Sequence, residues 1–178
     1  PRILESSSAL ELRDIPESLL IVGGGYIGLE LGTVYAALGT RVSVVELTDG
    51  LLPGVDRDLV NMLQKRLEAR FDAIMLNTTV GEMKEQKDGV KVAFEGKDAQ
   101  KKSRLYDKVL VSVGRKPSSA GIGLENTKVQ VDKRGFITVE AQRRTAEPNI
   151  YAVGDVAGEP MLAHKGTYEG RIAAEAVA

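Results

Sequence analysis

Leu19-Leu20-Ile21-Val22 is an uninterrupted apolar run, bounded by Pro16 on one side and three glycines, Gly23, Gly24 and Gly25, on the other. A run without alternation suits a strand buried on both faces, as in a parallel sheet. Directly after the glycines, Ile27, Leu31, Val34, Tyr35 and Leu38 recur at helical spacing. They predict a helix over about residues 26–38, stopped by Gly39 as a C-cap. Gly28, Gly32 and Ala36 form a stripe of small residues on that helix and should let it lie close on the sheet. Residues 41–46 predict a second strand. Pro53 and Gly54 break the chain, and a second helix follows over about residues 56–70, with Leu59, Val60, Leu63 and Leu67 on one face. Residues 73–76 predict a third strand. Strand, helix, strand, helix, strand implies a parallel sheet with right-handed crossovers.

The pattern then changes. Residues 80–87 and 90–94 alternate around Asp88-Gly89, a hairpin signal. Residues 97–104 form a polar loop, and residues 108–113 another buried strand ending at Gly114. From Pro117 onward the chain is looser, with Ser118, Ser119, Gly121 and Gly123 close together. Short strands are expected at 136–139 and 150–153, the second ending in Gly154-Asp155. A last helix is expected to begin near His164. The fold class is α/β, a Rossmann-like parallel sheet with an antiparallel hairpin or meander inserted before its last strand.

Charge narrows the choice of partners. Lysine and arginine number 24 against 25 acidic residues, so the net charge of −1 disfavours nucleic acid or an acidic membrane as the main partner. The one basic cluster, Lys101, Lys102 and Arg104, suits a solvated loop. The chain has no cysteine, hence no thiol nucleophile, disulfide or cysteine metal site of its own, and its single histidine, His164, cannot build a metal site alone. No apolar run approaches the ~20 residues that span a bilayer, and no signal peptide opens the chain. It starts at Pro1 and ends in a helix-like run, so a piece of a larger protein is expected. No serine–histidine–aspartate set or Walker lysine loop is present, which leaves hydrolase and nucleotide triphosphatase readings without support.

The strongest chemical signal is Gly23-x-Gly25-x-x-Gly28, placed after a strand and at the opening of a helix. The first glycine permits a tight turn, the second lets backbone approach a pyrophosphate, and the third lets helix and strand pack closely. The helix N-terminus presents N–H groups and a positive dipole end to the phosphates. Glu46 closes the second strand, at about the 20-residue offset where an acidic residue accepts hydrogen bonds from the adenosine ribose. Such a carboxylate repels a 2′-phosphate, so the pattern favours NAD over NADP. Other residues stay open on this reading. Asp155 suits a plain turn or a sugar-alcohol hydroxyl, and Glu30 a solvated helix position or a site. His164 suits a helix start or a ligand, and Tyr26 plain core.

Taken together, residues 20–32 (LIVGGGYIGLELG), 42–46, 106–115 (YDKVLVSVGR), 149–155 (NIYAVGD) and 161–170 (MLAHKGTYEG) resemble the pyridine nucleotide–disulfide oxidoreductases. Within that family they are most similar to the dihydrolipoamide dehydrogenases. The resemblance implies NAD contacts at Gly23, Gly24, Gly25, Tyr26, Ile27, Gly28, Glu46, Val80, Gly114 and Arg115, with Glu30 near nicotinamide and flavin. It implies FAD contacts at Asp155, Met161, Leu162, Ala163 and His164, an incomplete flavin site. Residues 14–117 would be the NAD domain, 1–13 a crossover from the flavin domain and 118–178 its returning part. The family's N-terminal flavin motif, redox cysteine pair and C-terminal histidine base have no counterpart in these residues. The resemblance further implies a homodimeric enzyme, cytoplasmic or in the mitochondrial matrix, oxidising dihydrolipoamide held on an acyltransferase or carrier protein. This chain alone is expected to be inactive in that reaction. The rival readings are a mercuric reductase or soluble transhydrogenase of the same group, and a stand-alone NAD-binding module without catalysis.

Overall fold

In a computed structural model of the chain, residues 1–96 and 103–178 are described. The Lys101 and Lys102 part of the expected basic cluster, and residues 97–102 of the expected polar loop, lie outside them. The chain divides into two compact units, Pro1–Gly114 and Arg115–Ala178.

The first unit is built on a five-stranded parallel sheet. Its strands are β1 (Ile3–Leu4), β2 (Ser18–Val22), β3 (Arg41–Val45), β4 (Ala73–Met75) and a last strand, Lys108–Val111, in the order β1, last, β2, β3, β4. β2 is central, and Leu19, Leu20 and Ile21 have no exposed surface. Alternate residues of β2 serve different layers. Leu19 and Ile21 join Val42 and Val44 beneath the helices α1 (Ser6–Leu10), α2 (Tyr26–Ala37) and α3 (Arg57–Glu68). Leu20 joins Val45 and Val109 on the opposite face. That face is covered by an antiparallel sheet of β5 (Thr78–Gln86), β6 (Gly89–Gly96) and β7 (Ser103–Tyr106), which contributes Val90, Val92, Phe94 and Tyr106; the Lys108–Val111 strand is then β8. The expected hairpin is therefore a three-stranded meander. β7 falls partly where the pattern predicts a polar loop, because only its last residue, Tyr106, is buried.

The α2 stripe forms as the glycine spacing predicts. A Cβ on Gly28 would lie 2.8 Å from Ile21 Cγ2, and one on Gly32 would lie 2.6 Å from Ile21 Cδ1 and 3.1 Å from Phe71 Cζ. Because the glycines face β2, the residues that flank them, Leu29, Leu31 and Tyr35, are the buried ones. Val34 and Leu38, expected on the apolar face, are exposed. On α3 the buried stripe is likewise narrower than predicted: Val60 and Leu67 are in the core, whereas Leu59 is 61% exposed.

Residues 1–10 contribute an edge strand paired with β8 and a short helix, α1, against which Tyr35 donates its hydroxyl proton to the Ala9 carbonyl at 2.8 Å.

The second unit has a sparse apolar core of Phe136, Ile137 and Ala152. The strands expected at 136–139 and 150–153 are only isolated antiparallel bridges, Val131 with Ile137 and Arg144 with Tyr151. Their apolar residues extend the backbone, but the neighbouring segments are turns, so no ladder grows from either bridge. The unit's helix, α4 (Ala163–Val177), begins one residue before His164. It is anchored by Glu169, a buried carboxylate that accepts from Arg143 Nη1 at 2.9 Å and from the Gly154 N–H at 2.7 Å, with Lys165 Nζ 3.2 Å away.

Gly32→Leu should force α2 off β2, since the space its side chain needs holds Ile21 and Phe71. The expected loss is about 1–3 kcal/mol, as for overpacked cores, read as a lower melting temperature. An unchanged melting temperature would show that α2 has room to spare.

Candidate functional site

The loop between β2 and α2 is shaped by three different glycine constraints. Gly23 has φ +105°, and a Cβ there would lie 2.5 Å from the Ser112 carbonyl oxygen, so no other residue fits. Gly28 meets Ser112 Oγ, the Gly23 carbonyl and Ile21 from the helix side. Gly25 is different: it is the N-cap of α2, its φ of −78° is ordinary, and a Cβ there would meet nothing within 4 Å. Open space therefore lies beside the backbone just where a helix begins. No side chain caps this N-terminus, and the first N–H groups of a helix have no partner within it. Backbone donors, a positive dipole end and room beside Gly25 together suit a phosphate group.

Gly24 is also constrained, although the fingerprint leaves that position open. A Cβ there would strike Leu51 Cδ2 at 2.7 Å and Glu46 Oε2 at 3.1 Å. Glu46 follows β3 and is 8% exposed. One of its oxygens accepts from the Gly24 N–H at 2.6 Å, and the other from the Thr48 N–H and hydroxyl, each at 2.8 Å. Burial opposes its ionisation. The hydrogen bonds from Thr48 and Gly24, with the Leu47 N–H, outweigh that opposition and hold the carboxyl below the ordinary glutamate range. The Gly24, Thr48 and Leu47 donors thus hold the carboxylate ionised against the glycine loop.

The other expected NAD residues are distributed as follows. Ile27 packs against the core beneath the helices, whereas Tyr26 and Glu30 are exposed on α2. Val80 lies on β5 beside a bulge and packs into the meander core. Its strand starts next to Glu46, whose carbonyl accepts from the Thr78 N–H at 3.0 Å. Gly114 has φ +134° with open space around it, just beyond β8. Thr48, Leu51 and Ser112 shape this site without any signal in the fingerprint.

In the second unit, Asp155 sits on a short 3-10 turn, Gly154–Ala157. Arg115 donates to its Oδ2 at 2.9 Å and reaches the Met161 carbonyl at 3.5 Å. Arg115, grouped by resemblance with the NAD residues, thus touches two residues of the flavin group. Leu162 is the N-cap of α4, and Ala163 and His164, its first two residues, are exposed. No side chain caps this N-terminus either. The hydroxyl-binding capacity of Asp155 and the N–H groups of α4 suit a polar, flavin-type ligand. No helix among the described residues is long and apolar enough to cross a membrane.

The dihydrolipoyl dehydrogenase of Vibrio parahaemolyticus is 49% identical over 177 residues, 99% of this chain and 37% of that protein. The Haemophilus influenzae dihydrolipoyl dehydrogenase is 49% identical over 178 residues, all of this chain and 37% of that protein. The chain thus spans somewhat over a third of the length of the curated relatives it matches. Among solved structures, the HOCl-induced flavoprotein disulfide reductase RclA of Escherichia coli superposes with a TM-score of 0.89 at 29% identity, covering 99% of this chain and 40% of that one. LpdA of Mycobacterium tuberculosis superposes at 0.86 with 29% identity, covering 98% and 37%. The family profile described as pyridine nucleotide-disulphide oxidoreductase matches residues 1–170, and this chain belongs to that family.

Proposed function

We propose that this chain carries the NAD site of a dihydrolipoyl dehydrogenase, with residues 14–117 as the NAD domain and residues 1–13 and 118–178 as parts of its flavin domain. The observation that carries the NAD assignment is Glu46. Its ionised carboxyl is held at the glycine loop, beside an uncapped helix N-terminus and the open space at Gly25. In such an enzyme the flavin relays electrons from a reduced protein dithiol to NAD+. This chain holds no cysteine, so the dithiol lies in other residues of the working protein.

The residue roles are those that the family resemblance implies, and the surroundings of Gly25 and Glu46 support the first two. The N–H groups at the start of α2 bind the pyrophosphate, and Gly25 leaves room for it. Glu46 accepts from the adenosine ribose hydroxyls and repels a 2′-phosphate. Val80 lines the adenine end and Gly114 the nicotinamide end, with Glu30 toward the flavin. Asp155 holds a ribityl hydroxyl, with backbone groups of Met161, Leu162, Ala163 and His164 against the flavin ring. The full-length protein acts as a homodimer on dihydrolipoamide carried by an acyltransferase or carrier protein, and the present chain alone does not turn it over.

Titration with NADH and NADPH, followed by nucleotide fluorescence, tests the assignment: NADH should bind more tightly, and equal or reversed affinities would refute it. Gly25→Val places its Cβ in the open space, where no protein atom lies within 4 Å of it. It should leave the melting temperature nearly unchanged while weakening NADH at least tenfold, about 1.4 kcal/mol or more; undiminished NADH affinity would show that the phosphates lie elsewhere.

The depressed ionisation of Glu46 sets a pH dependence. The folded value lies below the unfolded one, so its contribution to stability is complete above the unfolded value. That contribution is lost as pH falls through the folded value. Urea titrations from neutral pH into the acid range should show a shallower acid loss for Glu46→Gln than for the parent. Parallel acid limbs would mean that the Glu46 contacts do not persist in solution.

A further inference from the structure

The loop between β3 and α3 covers the glycine turn, and it is held there in an unfavourable backbone conformation. Leu51 has no exposed surface, and the Leu52 N–H donates to the Gly24 carbonyl at 2.9 Å. Leu52 itself has φ +48°, a left-handed conformation that costs a branched residue energy. Something must offset that cost, and the side chain of Arg57 is in position to do so. Its Nη1 donates to the Leu51 carbonyl at 2.9 Å and its Nη2 to the Leu52 carbonyl at 2.7 Å. The Val55 carbonyl accepts from both Nε, at 3.0 Å, and Nη2, at 2.7 Å. A planar fork with five N–H donors in fixed geometry spans three carbonyls spread along the loop.

Two further features mark this arrangement as specific. Arg57 is the first residue of α3, where the helix dipole disfavours a cation, so the carbonyls must account for its placement. Gly50 supplies the room: a Cβ there would lie 2.6 Å from Arg57 Nη1. The φ of Gly50 is not positive, so what this position uses is the absent side chain and not glycine's freedom of rotation.

We propose that Arg57 is a positioning residue of the dinucleotide site. It holds the 47–55 loop closed over Gly24 so that Glu46 and the glycine turn are already in their binding arrangement before the ligand arrives. The inference rests on the NAD reading given above. It also assigns Arg57 a role opposite to the usual one for arginine near an adenosine ribose, which is to grip a 2′-phosphate. Here its donors are committed to the loop's own carbonyls.

The test uses the full-length protein that carries this chain, with Arg57→Gln and Gly50→Ala compared against the parent. Gly50→Ala displaces the guanidinium while leaving Arg57 in the sequence, so it checks the contact if Arg57→Gln folds poorly. If the closed loop falls to about 10–20% of the population, the affinity for either dinucleotide falls about five- to tenfold, since only the competent fraction binds. The preference for NADH over NADPH should stay the same, the KM for NAD+ should rise with turnover at saturation retained, and the melting temperature should move little. Unchanged NADH affinity in both variants overturns the proposal, as does a loss confined to NADPH, which would make Arg57 a phosphate ligand. If the parent protein binds no NADH, the NAD reading itself fails and takes this inference with it; binding by the parent with no change in the variants removes the role of Arg57 alone.

Discussion

Strand β2 is apolar toward both faces of its sheet, and each face must be covered. Leu19 and Ile21 require the helical layer, and Leu20 requires the meander. Covering both sides of one strand places helices and an antiparallel sheet on opposite faces, and it leaves the strand's carboxyl end as the place where the chain emerges. The glycines stand at that end. They are there because the turn must pass under Ser112 at Gly23, and because α2 must return close enough to touch Ile21 at Gly28 and Gly32. The glycine turn is thus a by-product of a packing demand, and of its glycines only Gly25 is free of that demand.

Glu46 links this turn to the next layer of the site. In this structure its carboxylate is engaged by the protein's own donors, so it organises the loop. A ligand arriving there meets an acceptor already ionised and oriented, and little reorganisation is asked of it. The same economy holds for the 47–55 loop, whose carbonyls are satisfied by Arg57. Both devices spend hydrogen bonds on shape before any nucleotide is bound.

Much of this was legible in the sequence where the signal was local and strongly patterned. The run at 19–22, the glycine spacing and the placement of Glu46 pointed to the parallel sheet and to a tight glycine turn with Glu46 against it, because each follows from burial or backbone geometry at neighbouring positions. The meander's third strand was missed because Tyr106 is its only buried residue, and one buried position has no period. Val34, Leu38 and Leu59 were placed on buried faces because helical spacing locates a stripe but not its width. The strands expected at 136–139 and 150–153 show the complementary limit: apolar β-branched residues favour extended backbone, yet a strand also needs a neighbour to pair with. Thr48, Leu51 and Arg57 carried no signal because their roles arise from a loop folding back on a turn more than twenty residues earlier in the chain, a relation no window contains.

The second unit raises a different matter. Its apolar core is small, and Glu169 is buried with Arg143, Lys165 and the Gly154 N–H around it. Removing one member of a buried ionic group strands the others without solvent, whereas replacing the whole group by apolar residues can be neutral or better. The three side chains therefore constrain one another's history. Single steps away from the cluster leave the buried Glu169 with fewer partners, so drift at any one of these positions is tied to the others. Related sequences should then vary here as a set, keeping all three charges or losing them together.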